Sequence, residues 1–326
     1  MPALTYPEAI VVGLFQGVSE LFPVSSLGHS VLIPALIGGQ WARDLNVSAP
    51  ESPYLAFIVG LHVATALALL AYFWRDWLRI AGGFATSLRD RQVRTADQRL
   101  AWLIILATIP VGIAGLLLEH TFRTVLGKPI PAAIFLTVNG VILYAGERLR
   151  RRDPAQTAPA GYARQMAAVP ASQPAPEPPP GRHAVPPDDG AADRDADRRL
   201  AGIRYPQAVL IGSAQIFALL PGISRSGVTM VAGLTRGLSH EDAARFAFLL
   251  ATPVILAAGA LKIPDLFGPL GSGIRGQILA GSLFSGIGAY LSVRFLLRYF
   301  QTRTLTPFAI YCTVAGLASL AYLTLT

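Results

Sequence analysis

Two short stretches carry side chains that could do chemistry together. The first, 14-LFQGVSELFPVSSLGHS-30, sets Gln16, Glu20, Ser25, Ser26 and His29 into an apolar run that Pro23 and Gly28 keep from being one continuous helix. The second, 215-QIFALLPGISRSGVTM-230, has a similar grammar and the opposite charge, Arg225. An arginine keeps its charge in any protein environment and offers a planar fork of donors suited to phosphate. Ser224 and Ser226 flank it, Thr229 follows one turn on, and Gly222 and Gly227 let backbone N–H groups approach a ligand. A helix returning from this turn would point its positive end at the same spot, so the stretch reads as an anion cradle.

In the first stretch Ser26 and His29 are about one helical turn apart, so both can face one point. A serine hydroxyl is a poor nucleophile until a base takes its proton, and a histidine oriented by a carboxylate can serve. Glu20 is the only carboxylate close by, which makes Ser26, His29 and Glu20 a triad-like catalytic set. Glu20 has two other uses, activating water or holding a divalent cation. Plainer roles compete: Ser25 and Ser26 as caps of a helix starting near Leu27, and Glu20 with Arg225 as a structural ion pair. A bare pair would not need three hydroxyls around it. Gln16 and Gln215 would brace the two turns. His62, inside an apolar run, divides evenly between helix packing and the site, and Asn139 reads as helix packing.

The elements that hold these residues are membrane helices. Hydrophobic residues are 52% of the 326 and charged residues only 14%, against about 25% charged in an ordinary soluble domain, and mean hydropathy is +0.48. The apolar runs are continuous and of spanning length, about 20 residues, which disfavours a β-barrel. A carboxylate inside such a segment costs roughly 2.5–3.5 kcal/mol or more, so it is usually kept for function. The net charge of +8 does not signal nucleic acid, because the arginines sit at segment ends and in loops, where they set orientation. Cys312 is alone, so no disulfide is expected. MPALTYPEAIVVGLF has no Lys or Arg before its apolar run, unlike a cleaved signal peptide.

In chain order, 7–38 reads as a re-entrant hairpin of two half-length pieces. A polar connector, 40–53, leads to a span over 54–74. An arginine-rich cytoplasmic loop, 75–99, precedes spans 101–118 and 131–147, which are joined by an outer loop around Glu119–Pro131. Residues 153–199, rich in Pro, Ala, Gly, Asp and Arg, read as a disordered cytoplasmic linker. The pattern then restarts with a hairpin over 206–237 and spans over 244–261, 276–297 and 305–325. The expected fold is therefore an all-α integral membrane protein of two membrane units, 1–152 and 200–326, each one re-entrant helical hairpin plus three transmembrane helices. Three spans is an odd number, so the halves form an inverted-topology repeat whose broken tips meet near the midplane. His240 falls at a helix end and is expected to be solvated.

QGVSELFPVSSLGH and PGISRSGVT resemble the two signature regions of the undecaprenyl-diphosphatase family, the bacitracin-resistance phosphatases of bacterial membranes. The resemblance covers nearly the whole chain apart from 153–199. It implies hydrolysis of undecaprenyl diphosphate to undecaprenyl phosphate and inorganic phosphate, which recycles the lipid carrier for peptidoglycan synthesis and confers bacitracin resistance. It also implies a multi-pass protein of the bacterial inner membrane, a site opening to the extracytoplasmic side, dependence on a divalent cation (Mg or Ca) and no organic cofactor. Carried over by position, Glu20, Ser26 and His29 take the catalytic places and Arg225 the phosphate-binding one. Ser224, Ser226 and Thr229 match the phosphate-contacting hydroxyls, and Ser25, Gln16 and Gly222 line the substrate site. Gln16 stands where many members have Glu and cannot ionise, which weakens a metal site at Glu20. The expected partners are undecaprenyl diphosphate and membrane lipid, not nucleic acid, with monomer and homodimer both open. The rival reading is a transporter or flippase of a phosphorylated prenyl lipid, since inverted repeats with broken helices also build transporters.

Overall fold

A computed structural model describes residues 4–39, 45, 53–151, 189–267 and 273–325, and these residues are all helix and connection, with no strand among them. The helices are α1 (Tyr6–Leu21), α2 (Ser26–Ile37), α3 (Pro53–Tyr72), α4 (Trp74–Asp90), α5 (Ala96–Leu126), α6 (Pro129–Arg151) and α7 (Asp189–Ala201). They continue with α8 (Tyr205–Ser213), a 3₁₀ segment (Ala214–Leu219), α9 (Arg225–Leu234), α10 (His240–Phe267), α11 (Arg275–Thr302) and α12 (Thr306–Leu325). Five stretches are long and apolar enough to cross a membrane: Ala96–Leu118, Pro129–Arg151, His240–Lys262, Arg275–Thr302 and Thr306–Leu325. The pair Phe57–Tyr72 and Trp74–Asp90, bent by 83°, makes a sixth candidate. The chain is a multi-pass membrane protein.

The two broken stretches are built as expected from their turn residues. α1 starts with a capping box, Thr5 accepting from the Glu8 N–H while Glu8 takes the Thr5 N–H, and Pro7 fits its first turn. It stops at Phe22-Pro23, because the residue before a proline leaves the helical region. In the second stretch α8 tightens into the 3₁₀ segment before Pro221 ends it. α1 lies on α11 and α8 on α5, with glycines at the contact. A Cβ on Gly17 would come 2.8 Å from the Ser285 carbonyl carbon, so small residues let the backbones approach.

Three expectations change. The loop expected over 75–99 is mostly α4, an amphipathic helix that turns Asp76, Ile80, Gly83 and Ser87 inward and most of its arginines outward. The arginines there disguised a helical spacing. The loop around Glu119–Pro131 is largely the end of α5, which leaves Gly127 and Lys128 between α5 and α6. The linker expected to reach residue 199 ends earlier, because α7 starts at Asp189. The connector 40–53 and the linker over 153–188 lie outside the described residues apart from Leu45 and Pro53.

α7 is held by charge. Arg245 of α10, only 3% exposed, reaches Asp197 at 3.0 Å, Asp193 at 2.7 Å and Asp76 of α4 at 3.0 Å. Arg79 joins Asp76 and Asp197, each at 2.5 Å. Arg199 forks onto Asp242, which raises the guanidinium's pKa above its ordinary value. Ala196 and Leu200 bury the apolar face beside this network. Removing one member of a buried ionic set leaves uncompensated charge and costs about 3–5 kcal/mol. Arg245→Met is therefore expected to lower the unfolding temperature in detergent by several degrees and to open Arg194 and Arg198 to trypsin. An unchanged melting temperature and cleavage pattern would show that the network does not hold α7.

Candidate active site

The two breaks meet. Ser25 caps α2 with a backbone φ of +69°, a region few residues other than glycine enter, and strain of that kind gathers at functional turns. Its Oγ accepts from the Gly28 N–H and from the Gly222 N–H of the other break, both at 3.2 Å. Gly222 has φ +114°, and a Cβ there would sit 2.5 Å from the Ala132 carbonyl oxygen. A Cβ on Gly28 would lie 2.7 Å from the Gly222 Cα, so the chains pass almost backbone to backbone.

Asn139 of α6 is the clasp between them. Its Nδ2 donates to the Pro23 carbonyl at 3.1 Å, and its Oδ1 accepts from the Ser224 N–H at 3.0 Å. Ser224 caps α9 by accepting from Gly227 N–H at 3.2 Å, and its Oγ lies 3.4 Å from the Phe22 carbonyl. Ser226 donates to the same carbonyl at 3.2 Å. Thr229 donates to the Arg225 carbonyl within its own helix at 2.7 Å. The hydroxyls flanking Arg225 therefore assemble the junction in this structure, and two of them do so across the two halves.

At the centre, Arg225 is ion-paired with Glu20 through Nη2 and Oε1. The other carboxylate oxygen, Oε2, accepts from the Ser26 hydroxyl at 2.5 Å and from the Gln16 amide at 2.9 Å. His62 of α3 places Nε2 3.4 Å from that oxygen and 3.2 Å from Gln16 Nε2. A carbonyl only accepts, so the 2.8 Å contact to the Ile58 oxygen puts a proton on His62 Nδ1. In the neutral ring Nε2 is then an acceptor facing the Gln16 amide. The Nε and Nη1 groups of Arg225 donate to no described residue, and its side chain is 17% exposed, which leaves donors for an anion.

His29 does not complete the expected triad. Its Nδ1 donates to the Ser25 carbonyl at 2.7 Å, and its Nε2 meets the Tyr311 hydroxyl of α12 at 2.8 Å. Spacing put His29 on the same turn as Ser26, but these two bonds orient the ring towards α12. The imidazole next to the carboxylate is His62. Gln16, expected to brace the turn, donates to Glu20. The side-chain amide of Gln215, almost fully buried, forms no hydrogen bond among the described residues.

Asn139 and Tyr311 were the members that sequence reasoning missed. A lone amide in an apolar span was a signal for the first, whereas a tyrosine in the last span looks like any other span aromatic. His240, expected to be solvated, is buried with Nε2 2.8 Å from Glu147 and its ring stacked on Phe300, away from this junction. An apolar cavity of about 570 Å³ between α4, α5 and α10 also lies elsewhere. The donor set does not suit a resident divalent cation. Glu20 is the carboxylate at the junction, a guanidinium holds one of its oxygens, and Gln16 turns an amide nitrogen to the other. No group of three His, Cys, Asp or Glu among the described residues could hold a metal.

Comparison with known proteins agrees with the motifs. An undecaprenyl-diphosphatase of Mycolicibacterium paratuberculosis is 66% identical over 322 residues, covering 99% of this chain and 98% of its own. An undecaprenyl-diphosphatase 1 of Frankia casuarinae is 59% identical over 361 residues, with 97% of each chain covered. An undecaprenyl-diphosphatase 2 of Burkholderia orbicola is 41% identical over 317 residues, 96% of this chain and 95% of its own. The family model described as bacitracin resistance protein BacA matches residues 9–318. With a match of that extent, the chain belongs to the bacitracin resistance protein BacA family.

Proposed function

We infer that this protein is an undecaprenyl-diphosphate phosphatase, releasing inorganic phosphate from the lipid diphosphate and returning undecaprenyl phosphate as a carrier for peptidoglycan synthesis. Bacitracin resistance follows from the same activity. One observation carries the reading: a hydroxyl, a carboxylate and a guanidinium stand in a contact chain, Ser26 to Glu20 to Arg225, where the breaks of two membrane-embedded stretches meet. A buried ion pair alone is weak evidence for stability, and here the carboxylate also holds the hydroxyl that chemistry would use.

The free donors of Arg225 bind the terminal phosphoryl oxygens and stabilise the charge that develops as the P–O bond breaks. Ser26 Oγ attacks the terminal phosphorus in line, and its proton passes to Glu20, already in contact. The bond to the bridging oxygen breaks and undecaprenyl phosphate leaves. Water then attacks the phosphoserine, the hydroxyl is restored and inorganic phosphate departs. Glu20 returns its proton to Ser26 as the phosphoserine opens, and His29, held by Ser25 and Tyr311, reaches the proton of that water only if its bond to Tyr311 exchanges. Gln16, whose amide also faces His62, keeps the carboxylate facing Ser26.

Two features support an inverted repeat of re-entrant hairpins. Each hairpin's first helix packs on the other half's second span, α1 on α11 and α8 on α5. The third spans, α6 and α12, exchange matching contacts: Gly140 lies against Thr313 and Gly316 against Thr137, within TVNG and TVAG. In that arrangement the breaks lie near the midplane, the arginine-rich α4 and α7 are cytoplasmic, and the site opens outward.

A transporter needs Arg225 but no nucleophile. Phosphate release from undecaprenyl diphosphate in detergent, with no membrane to cross, separates the two readings, and absence of turnover there would favour transport. Ser26→Ala is expected to lower kcat by about 10²–10⁴-fold, whereas retained turnover would point to direct attack by water. Arg225→Ala is expected to cost about 10²–10³-fold, and activity near wild type would remove the cradle. Tyr311→Phe deletes one hydrogen bond, worth about 0.5–1.5 kcal/mol, and is expected to lower kcat several-fold with KM unchanged and the melting temperature only slightly lowered. A change confined to KM would place Tyr311 in substrate binding instead.

A further inference from the structure

A second basic site lies at the end of α11. Arg294, Arg298 and Arg303, with Leu291, Phe295, Tyr299 and Thr302, line a cavity of about 420 Å³. α11 has 28 residues, about 42 Å at 1.5 Å per residue, against a hydrocarbon layer of about 30 Å. Its last turns therefore stand in the headgroup layer. They stand on the arginine-rich face, because Gln301 bonds Glu241 at 3.2 Å and Phe300 stacks on His240 at the start of α10, the helix that carries Arg245 and holds α7.

These three arginines differ from Arg79, Arg199 and Arg245 near that face. Arg79, Arg199 and Arg245 each have aspartate partners. The side chains of Arg294, Arg298 and Arg303 form no hydrogen bond or ion pair to any described residue. Arg294 and Arg298 are four apart on one helix face, where like charges repel unless an anion sits between them. Below them a row of exposed apolar side chains, Leu279, Leu283, Ile287, Leu291 and Phe295, follows the helix at four-residue spacing towards the opposite end. That row is a track for a hydrocarbon chain, and it ends at three guanidinium groups that have no hydrogen-bond or ion-pair partner among the described residues.

The site is separate from the Glu20–Arg225 junction. Phe22, at the first break, stacks on Phe295 at 6.0 Å and meets Phe308 edge-on at 5.7 Å, and Tyr299 meets Phe308 at 5.5 Å. This aromatic layer forms the wall between them.

We propose that the notch binds the phosphate headgroup of an anionic membrane lipid, whose chain lies along the apolar row of α11. The chemistry required is a phosphate ester held by two or three arginine forks at a membrane interface. Lipid attachment, as opposed to a free phosphate, follows from the row that leads to it.

The test uses the full-length protein in a neutral detergent and native mass spectrometry. Phosphatidylglycerol is titrated against phosphatidylcholine with the same acyl chains, for wild type and for R294Q/R298Q/R303Q. At about 1 kcal/mol per basic residue near a lipid surface, wild type is expected to prefer phosphatidylglycerol by tenfold or more, and the triple variant to bind the two alike. No preference in wild type, or a preference that survives the triple substitution, would overturn the proposal. Inorganic phosphate at millimolar concentration should displace little bound phosphatidylglycerol. Full displacement would mean that the site reads a free anion. If the triple variant does not fold, R298E alone serves, because the side chain is exposed and reversing its charge should abolish the preference.

Discussion

The structure depends on bringing one carboxylate and one guanidinium together inside a membrane protein. Neither Glu20 nor Arg225 is stable there alone, since both side chains are largely buried and loss of one partner would leave the other's charge unpaired. Their pairing requires two stretches far apart in sequence to end at the same point. It also requires non-helical backbone at that point, so that both side chains reach inward. The breaks at Pro23 and Pro221 supply that backbone, and its freed polar groups must find partners in protein.

Those partners explain the residues that surround the pair. Ser25, Ser224, Ser226 and Asn139 satisfy the backbone of both breaks, largely across the junction. Small residues at Gly28 and Gly222 let the two turns approach closely enough for this bonding. A serine in this junction can therefore be structural, and position decides which. Ser26 is the hydroxyl whose partner is the carboxylate, while Ser25 is spent on two N–H groups. The aromatic layer around Phe22 then closes the junction on one side, so one helix, α11, can carry a different anion-binding surface beyond it.

Much of this was legible in the sequence, for physical reasons. Opposite charges in two broken apolar stretches predict that the stretches meet, because no cheaper place exists for either charge. That the chain holds several helices long and apolar enough to cross a membrane followed from run length. What was not legible concerned direction and local pattern. Spacing puts His29 on the same turn as Ser26 but does not fix its side-chain torsions, and the bonds to Ser25 and Tyr311 turn it away from Glu20. His62 comes within reach of Glu20 only through the packing of α3 on α1, a contact between residues 42 positions apart that no local pattern encodes. α4 and α7 were hidden because their inward faces carry Asp76, Asp193 and Asp197, acids that look solvated until Arg79 and Arg245 are seen to meet them.

The central claim is that Glu20 and Arg225 act as one unit in turnover. A double-mutant cycle on phosphate release from undecaprenyl diphosphate in detergent tests this directly, using Glu20→Gln, Arg225→Gln and the combination. Residues in direct contact couple by about 0.5–3 kcal/mol, so the account predicts that the double variant loses clearly less activity than the product of the two single losses. Losses that multiply without coupling would mean that the two side chains work independently, and the shared site described here would be wrong.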